Sequence, residues 1–556
     1  MPRFHRVSCA MLLLAFLPAM GASQSAPQDL SGDPRILWLQ KNAQSIRSID
    51  PADEDFRDLK PLRASLKGVR LVLLGEADHR SGSDFLAKSR LVKFLHRELG
   101  FDVLAFEAPM FDMTVAWDRL RSGTPPGEAL LLGASTWAGA EQMRPLVEYL
   151  GDEARGRRPL EIAGFDHQHQ MASLFQYADD LTAFLKERNL GGPLVDPESP
   201  ESAVLRGLSQ VLYQYGITPR PDVPTRRAFL AAVETSLMAV RAMRDERARQ
   251  WAQLLRSLSC HARFVMGNPE IGTCNRDEQM AENLLWLANE RHPDRKIIVW
   301  SHTGHAARLA KMPPEYGGGP SMGYRIGQSL GPKSYAIGVT SYSGNRIVAD
   351  QNPLPEFEEL MSAARIQYGF LHLRRAAAGR HWAGGEFLAR PIDNTTRSEV
   401  WSDKLDALLF VRERIASQDT PPPAADLQAI KDVGAREKTA FRSRDADSYV
   451  ALFTDDCVVI TPNGSRLRGR AAVRALLDTI PEQFVLSGGH SESDALIKVG
   501  DWAWELHAVS TAESKPGSEA APRRYRGMHI YRRQPDGSWR IAQDVWNATM
   551  PRGGTW

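Results

Sequence analysis

From residue 69 to about residue 340, short apolar runs alternate with stretches of helical spacing. The runs are Val69–Gly75, Phe101–Glu107, Leu160–Asp166, Ile297–Ser301 and Tyr335–Thr340. Each is nearly continuous in apolar residues, as a strand needs when both of its faces are covered and neither meets water. Such runs separated by helical patterns predict βα units and a largely parallel sheet, hence an α/β fold. The segment Phe85–Leu99 has helical spacing, starts after Ser83 and Asp84 and stops at Gly100, residue types that cap and end helices. Between Met171 and about Arg291 the pattern is almost wholly helical, which predicts a helical insertion. A last strand, Ala407–Val411, closes this domain.

The segment Ser417–Asp426 contains Pro421, Pro422 and Pro423 in a row and reads as a stiff extended linker. Beyond it the rhythm changes. One helix is predicted over Leu427–Phe453, then a strand at Cys457–Thr461 and a short helix at Arg470–Leu477. Alternating strands follow, carrying Trp502, Trp504, Tyr525, His529, Tyr531, Trp539 and Trp546. Helices followed by a run of strands predict a separate α+β domain. The expected organisation is therefore a leader over residues 1–26, a domain over 27–416, the linker 417–426 and a second domain over 427–550.

The leader reading rests on order. Arg3 and Arg6 precede a short apolar run from Ala10 to Ala19, and small residues follow at Gly21, Ala22, Ser23 and Ala26. That is the layout of a secretory signal, too short to serve as a membrane anchor. The mature protein is expected to be soluble and exported, and periplasmic in a Gram-negative cell. Three cysteines then remain, Cys260, Cys274 and Cys457. The first two bracket a turn-rich loop holding Gly267, Asn268, Pro269 and Gly272, so a disulfide between them is expected in an oxidising compartment. The net charge of +2, with both signs interspersed, gives no basic footprint for nucleic acid or an anionic membrane.

Candidate chemistry gathers at strand ends. Four predicted strands finish in ionisable residues: Glu76 with His79, then Glu107, then Asp166 with His167, then His302 with His305. In open α/β sheets ligands bind beyond the carboxyl ends of the strands, so these tips are expected to face one crevice. Converging imidazoles and carboxylates supply what hydrolysis by activated water needs: a base for the proton and anions to orient it. The sequence also contains a literal G-x-S-x-G, Gly319-Pro320-Ser321-Met322-Gly323. It follows a glycine run rather than an apolar strand, and proline sits poorly before the serine of a nucleophile elbow. It is read as a chance match.

Gly75-Glu76-x-x-His79, the helix with Arg90, and Val103–Glu107 resemble the opening motif of the erythromycin esterase family. So do Asn275-Arg276-Asp277-x-x-Met280-Ala281-x-Asn283 and Val299-Trp300-Ser301-His302-x-x-His305. The resemblance spans roughly Ile36 to Val411 and implies an α/β core with helical additions. It further implies hydrolysis of a small-molecule ester or lactone, as of macrolides, without a metal or a serine nucleophile. It casts His79 as general base and Glu76 and Glu107 as its orienting carboxylates. His302 and His305 complete the cluster, and Arg90 supports charge from its helix; with Asp166 and His167 of the third strand end, Arg90 is expected to bind the substrate. Asp78 stands where the family often has Ser or Thr, and Thr303 where it often has Asn. The C-terminal domain resembles the SnoaL-like and ketosteroid-isomerase-like cone-shaped α+β folds. The carrying residues are Phe441–Asp445, Phe453–Cys457, Gly469-Arg470 and Gly537–Ile541.

Two other readings use the same residues. Glu76, His79, Glu107, His302 and His305 are all acceptable ligands for zinc or manganese, which would make a metallohydrolase. A protein that only binds a small hydrophobic ligand is the alternative outside catalysis, although several titratable groups are not needed for that.

Overall fold

The computed structural model describes residues 30, 32–209, 221–267, 269–312, 318–344, 354–419, 423–461, 466–479, 484–485, 496–513 and 521–549. The expected leader, residues 1–26, lies outside the described residues, as do Pro421 and Pro422 of the linker. The chain divides into two compact units, each discontinuous in sequence: Met1–Glu107 with Asn275–Ser417, and Ala108–Cys274 with Gln418–Trp556.

The strands up to residue 411 are β1 (Gln44–Ser45), β2 (Leu71–Glu76), β3 (Phe101–Pro109), β4 (Glu161–Asp166) and β5 (Lys296–His302), then β6 (Ser334–Ser341), β7 (Tyr368–His372), β8 (Glu386–Ala389), β9 (Arg397–Val400) and β10 (Ala407–Val411). In the first unit the order is β1-β7-β10-β6-β2-β5-β3. The four pairings β10–β6, β6–β2, β2–β5 and β5–β3 are parallel. β7 is the departure from the expected pattern. It pairs antiparallel with β10 on one side and β1 on the other. β8 and β9 form a small hairpin of their own.

The apolar runs are buried because they are central. All six residues of β2 are buried, as are Ile297 to His302 of β5. Trp300 lies 5.8 Å from Phe106 and 6.2 Å from Phe85 of the helix Gly82–Leu99. Each such side chain, fully removed from water, contributes about 1.5–3 kcal/mol. Gly75 is needed for a close approach: a Cβ there would come within 2.8 Å of the Thr303 Cα. In the parallel register Glu76 stands opposite His302, so two of the expected site residues are neighbours by sheet geometry alone.

The second unit contains β4 and the helices Ala178–Glu187, Pro200–Ser209, Val223–Arg241 and Glu246–Met266, as the helical pattern requires. Cys260 and Cys274 are joined by a disulfide, with Cα atoms 5.3 Å apart, and Cys457 is buried and reduced. Its C-terminal part holds β11 (Phe453–Ile460), β12 (Arg466–Arg468), β13 (Phe484–Val485), β14 (Leu496–Val499), β15 (Trp502–Glu513), β16 (Ala521–Arg533) and β17 (Trp539–Thr549). Their order is β12-β11-β17-β16-β15-β13, with β14 also on β15. Ile430, Val433, Tyr449, Phe453 and Ile541 are part of the core beneath the helices Ala424–Ser443 and Ala446–Val450. A second cluster joins Met171, Leu174 and Phe175 to Val458, Ile460, Met528, Ile530 and Val545.

The single helix expected over Leu427–Phe453 is broken. Arg444 takes a left-handed φ of 54°, Asp445 then caps a new helix through the Ser448 amide, and Phe453 already begins β11. Phe441, Tyr449 and Leu452 keep helical spacing across the break, so periodicity alone does not reveal it. Among the described residues no helix is long and apolar enough to cross a membrane.

Candidate active site

Glu76 is the last residue of β2, and its side chain is fully buried. One carboxylate oxygen lies 2.6 Å from His79 Nδ1. The other accepts from Lys88 Nζ at 2.7 Å. Lys88, equally buried on the helix Gly82–Leu99, also donates to the Ser301 carbonyl and stands 4.0 Å over the Trp300 ring. The turn carrying His79 is held by Asp84, which accepts from the Ala77 amide (2.9 Å) and the Ser81 hydroxyl (2.6 Å). Burial above all pushes the Asp84 carboxyl up to about 6. His79 itself has a side chain 40% exposed, so it is the member of the group that meets solvent.

Glu107, on β3, accepts from Arg276 Nη2 at 2.9 Å and from the His302 backbone amide at 2.8 Å. Its first oxygen is 3.3 Å from His305 Nε2, while His305 Nδ1 is held by both oxygens of Asp277 at 2.9 and 3.0 Å. Asp277 also accepts from the Met322 amide. His302 caps the short helix Thr303–Ala306: its Nδ1 accepts from the Gly304 amide, which leaves Nε2 as the protonated nitrogen facing the Ala77 carbonyl at 3.0 Å. His79 and His302 have ring centres 5.5 Å apart, and His302 and His305 6.2 Å.

The electrostatics follow from these contacts. Burial alone would raise both glutamates. Lys88 and His79 instead hold Glu76 below the usual carboxylate range, and His305, Arg276 and His79 do the same for Glu107. Burial works to lower His79, but the Glu76 hydrogen bond and the Glu107 and Glu76 charges outweigh it, so its pKa is raised. His305 is likewise raised, by Asp277 and Glu107 against burial. Burial depresses Lys88, with Glu76 opposing.

Glu76, His79, Glu107, His302 and His305 are therefore brought together. Arg90 is not, and the expectation that it serves the substrate is corrected. Its guanidinium is buried against the loop before β2, bound to the carbonyls of Ser48, Asp53 and Asp55 and to Asp58. Every nitrogen is engaged there, so it staples that loop to its helix. Asp166 and His167 lie at the end of β4 in the second unit. Asp166 accepts from the Gln168 amide, and the His167 ring is 5.7 Å from that of His261 and 5.2 Å from Phe264. Asp78 is paired with Arg414 and accepts from Asn394 at 3.2 Å.

Sequence reasoning assigned no role to Lys88, Asp277 or Arg276. Lys88 falls on the buried stripe of its helix with Phe85, Val92 and Leu95, and a lysine on an apolar stripe was the available signal. Asp277 and Arg276 lie inside the quoted Asn275–Asn283 motif. Ser321 is fully buried, donates to the Ala307 carbonyl, accepts from the Leu309 amide and caps the helix Met322–Leu330. Gly323 is dictated by packing, since a Cβ would fall 2.0 Å from the Ala306 carbonyl oxygen. The G-x-S-x-G is a helix start.

For a metal, Glu76 is taken up by His79 and Lys88, Glu107 by Arg276 and the His302 amide, and His305 Nδ1 by Asp277. Among the described residues one set of three or more His, Cys, Asp or Glu side chains has its donor atoms within 4.8 Å of each other, and it is Glu437, His529 and Asp544 in the second unit.

Fold and side chains together define an α/β protein with an acid–base cluster at the carboxyl ends of its parallel strands. Residues 96–414 match the family described as erythromycin esterase, and residues 437–542 match the SnoaL-like domain. YbfO of Bacillus subtilis (strain 168), named as a hydrolase, is 25% identical over 412 residues, covering 67% of this chain and 88% of its own length. Erythromycin esterase type II of Escherichia coli is 22% identical over 53% of this chain and 74% of its own. A succinoglycan biosynthesis protein superposes with a TM-score of 0.58 at 18% identity, over 70% of this chain and 99% of its own. A mutant of the erythromycin esterase EreC in its open conformation does so with a TM-score of 0.50 at 15% identity, over 68% and 99%. The chain belongs to the erythromycin esterase family of hydrolases, with a SnoaL-like domain at its C-terminal end.

Proposed function

We propose that this protein is an exported hydrolase that opens a carboxylic ester or lactone, macrolides among the candidates, with water activated by His79. The observation that carries the reading is the chain Lys88–Glu76–His79, with contacts of 2.7 and 2.6 Å and two fully buried members behind one partly exposed imidazole. Glu76, anchored by Lys88, fixes the Nδ1 proton of His79 and so puts the basic lone pair on Nε2. His79 takes a proton from water as that water attacks the carbonyl carbon, and returns it to the departing alkoxide. Arg276, beside Glu107, is the positive group that would meet charge developing on the carbonyl oxygen. Export is supported by the Arg3, Arg6 and Ala10–Ala19 pattern and by the Cys260–Cys274 bond. The test is a panel of esters and lactones assayed with the wild type, His79→Asn and Glu76→Gln. General-base loss predicts a fall of about 10²- to 10⁴-fold or more for His79→Asn. A fully active His79→Asn enzyme would falsify the mechanism.

A further inference from the structure

The second unit holds a group of titratable side chains for which the hydrolytic cycle has no use. Glu505 on β15 is opposite His529 on β16, and His529 is opposite Asp544 on β17. Directly opposed residues share a face of the sheet, so this row points three polar side chains to one side. Glu437, on the helix Ala424–Ser443, comes to meet them. His529 Nε2 is 3.2 Å from Asp544 and 3.6 Å from Glu437. Glu437, His529 and Asp544 are 9%, 5% and 0% exposed.

The surrounding hydrogen bonds decide what faces the middle. Tyr531 donates to Glu505 at 3.3 Å, so its oxygen accepts from His529 Nδ1 at 3.0 Å. Nδ1 is thereby engaged by Tyr531, and Nε2 is the ring nitrogen that faces Asp544 and Glu437. Tyr449 donates to Glu437 at 3.3 Å. One imidazole nitrogen and two carboxylates converge in a buried place, where a metal ion in the position of the Nε2 proton would be held by all three.

The distances select the guest. Donors bound tetrahedrally at about 2.0–2.2 Å stand about 3.3–3.6 Å from one another, the regime of zinc. The 3.6 Å separation from Glu437 falls in that range and the 3.2 Å one from Asp544 just below it. Calcium calls for about six to eight oxygens at longer range, which a set of one nitrogen and two carboxylates does not resemble. Mixed imidazole and carboxylate donors suit first-row transition ions, and an outer partner on the histidine's second nitrogen is how such sites orient their ligands.

We propose that Glu437, His529 and Asp544 bind a divalent transition metal ion of the zinc class in the C-terminal domain. Three protein ligands leave the fourth position to water or to an oxygen of a small molecule. Tyr531 is a positioning residue, acting through His529.

Full-length protein dialysed against chelator is titrated with zinc by calorimetry, and cobalt(II) is added in parallel to read tetrahedral visible bands. One ion per chain is expected for the wild type and for His79→Asn. His529→Asn and Glu437→Gln should bind at least about 100-fold more weakly, and Tyr531→Phe about 10- to 100-fold more weakly. Circular dichroism accompanies each variant. If His529→Asn fails to fold, the shape-preserving Glu437→Gln and Tyr531→Phe decide. The proposal is overturned if the wild type takes up no stoichiometric ion, which would leave a proton holding the group. It is equally overturned if binding is lost in His79→Asn and kept in Glu437→Gln.

Discussion

Replacing Lys88 by methionine isolates the deepest contact of the site without touching the base. Lys88 and Glu76 are both fully buried, 2.7 Å apart, and methionine has nearly the shape of the lysine stem. The variant leaves the Glu76 carboxylate buried with His79 as the remaining positive partner. Removing one member of a buried pair costs about 3–5 kcal/mol, because the stranded charge cannot recover its hydration. For a unit of this size that is a fall in Tm of about 6–20 °C. The double variant Lys88→Met with Glu76→Gln removes the stranded charge and should regain most of the loss, since exchanging a buried pair for neutral groups is often close to neutral. Thermal and urea unfolding of the wild type, both single variants and the double variant give the coupling directly, with no substrate needed. A single variant that loses less than about 1 kcal/mol, or a double variant no more stable than Lys88→Met, refutes a stability role for the pair.

The raised pKa of His79 sets a pH dependence. The ring holds its proton up to a pH above the ordinary 6.5, so kcat/KM should rise with pH along a limb displaced upward, and Glu76→Gln should move that limb down; a limb unmoved in Glu76→Gln contradicts the contact. Ser321→Ala should keep hydrolysis while lowering stability by about 0.5–2 kcal/mol, because the helix Met322–Leu330 loses its N-cap; abolished turnover in a folded variant would restore the serine as a nucleophile. Cys260→Ser with Cys274→Ser should cost about 3 kcal/mol for a loop of this span, read by unfolding, and two free thiols in the unreduced wild type would remove the premise.

The parallel strands were legible because burial on both faces leaves an unbroken apolar run, and the polar tips of β2, β3 and β5 then followed from where ligands bind such sheets. β7 escaped notice: Tyr368–His372 is as apolar as its neighbours, but nothing local tells a short antiparallel strand from a loop segment. Arg90 was misjudged because charge in a motif says nothing about direction, and this one points at the loop of residues 48–58. Lys88 was passed over for the opposite reason, as a lysine on a helix is usually solvated. His529 and Asp544 could be read as polar groups of a pocket, but not as a set with Glu437, since the three meet only through helix placement and strand register.

The cluster of Met171, Leu174 and Phe175 with Val458, Ile460, Met528, Ile530 and Val545 constrains how this chain could ever be shortened. A gene ending at Ser417 would uncover those three side chains on the helical segment, and a protein that displays contiguous apolar surface tends to aggregate. A relative that stops where the hydrolase stops must carry polar residues at the positions of Met171, Leu174 and Phe175, or cover them with a partner. Loss of the C-terminal domain is therefore expected to go with change more than two hundred residues upstream.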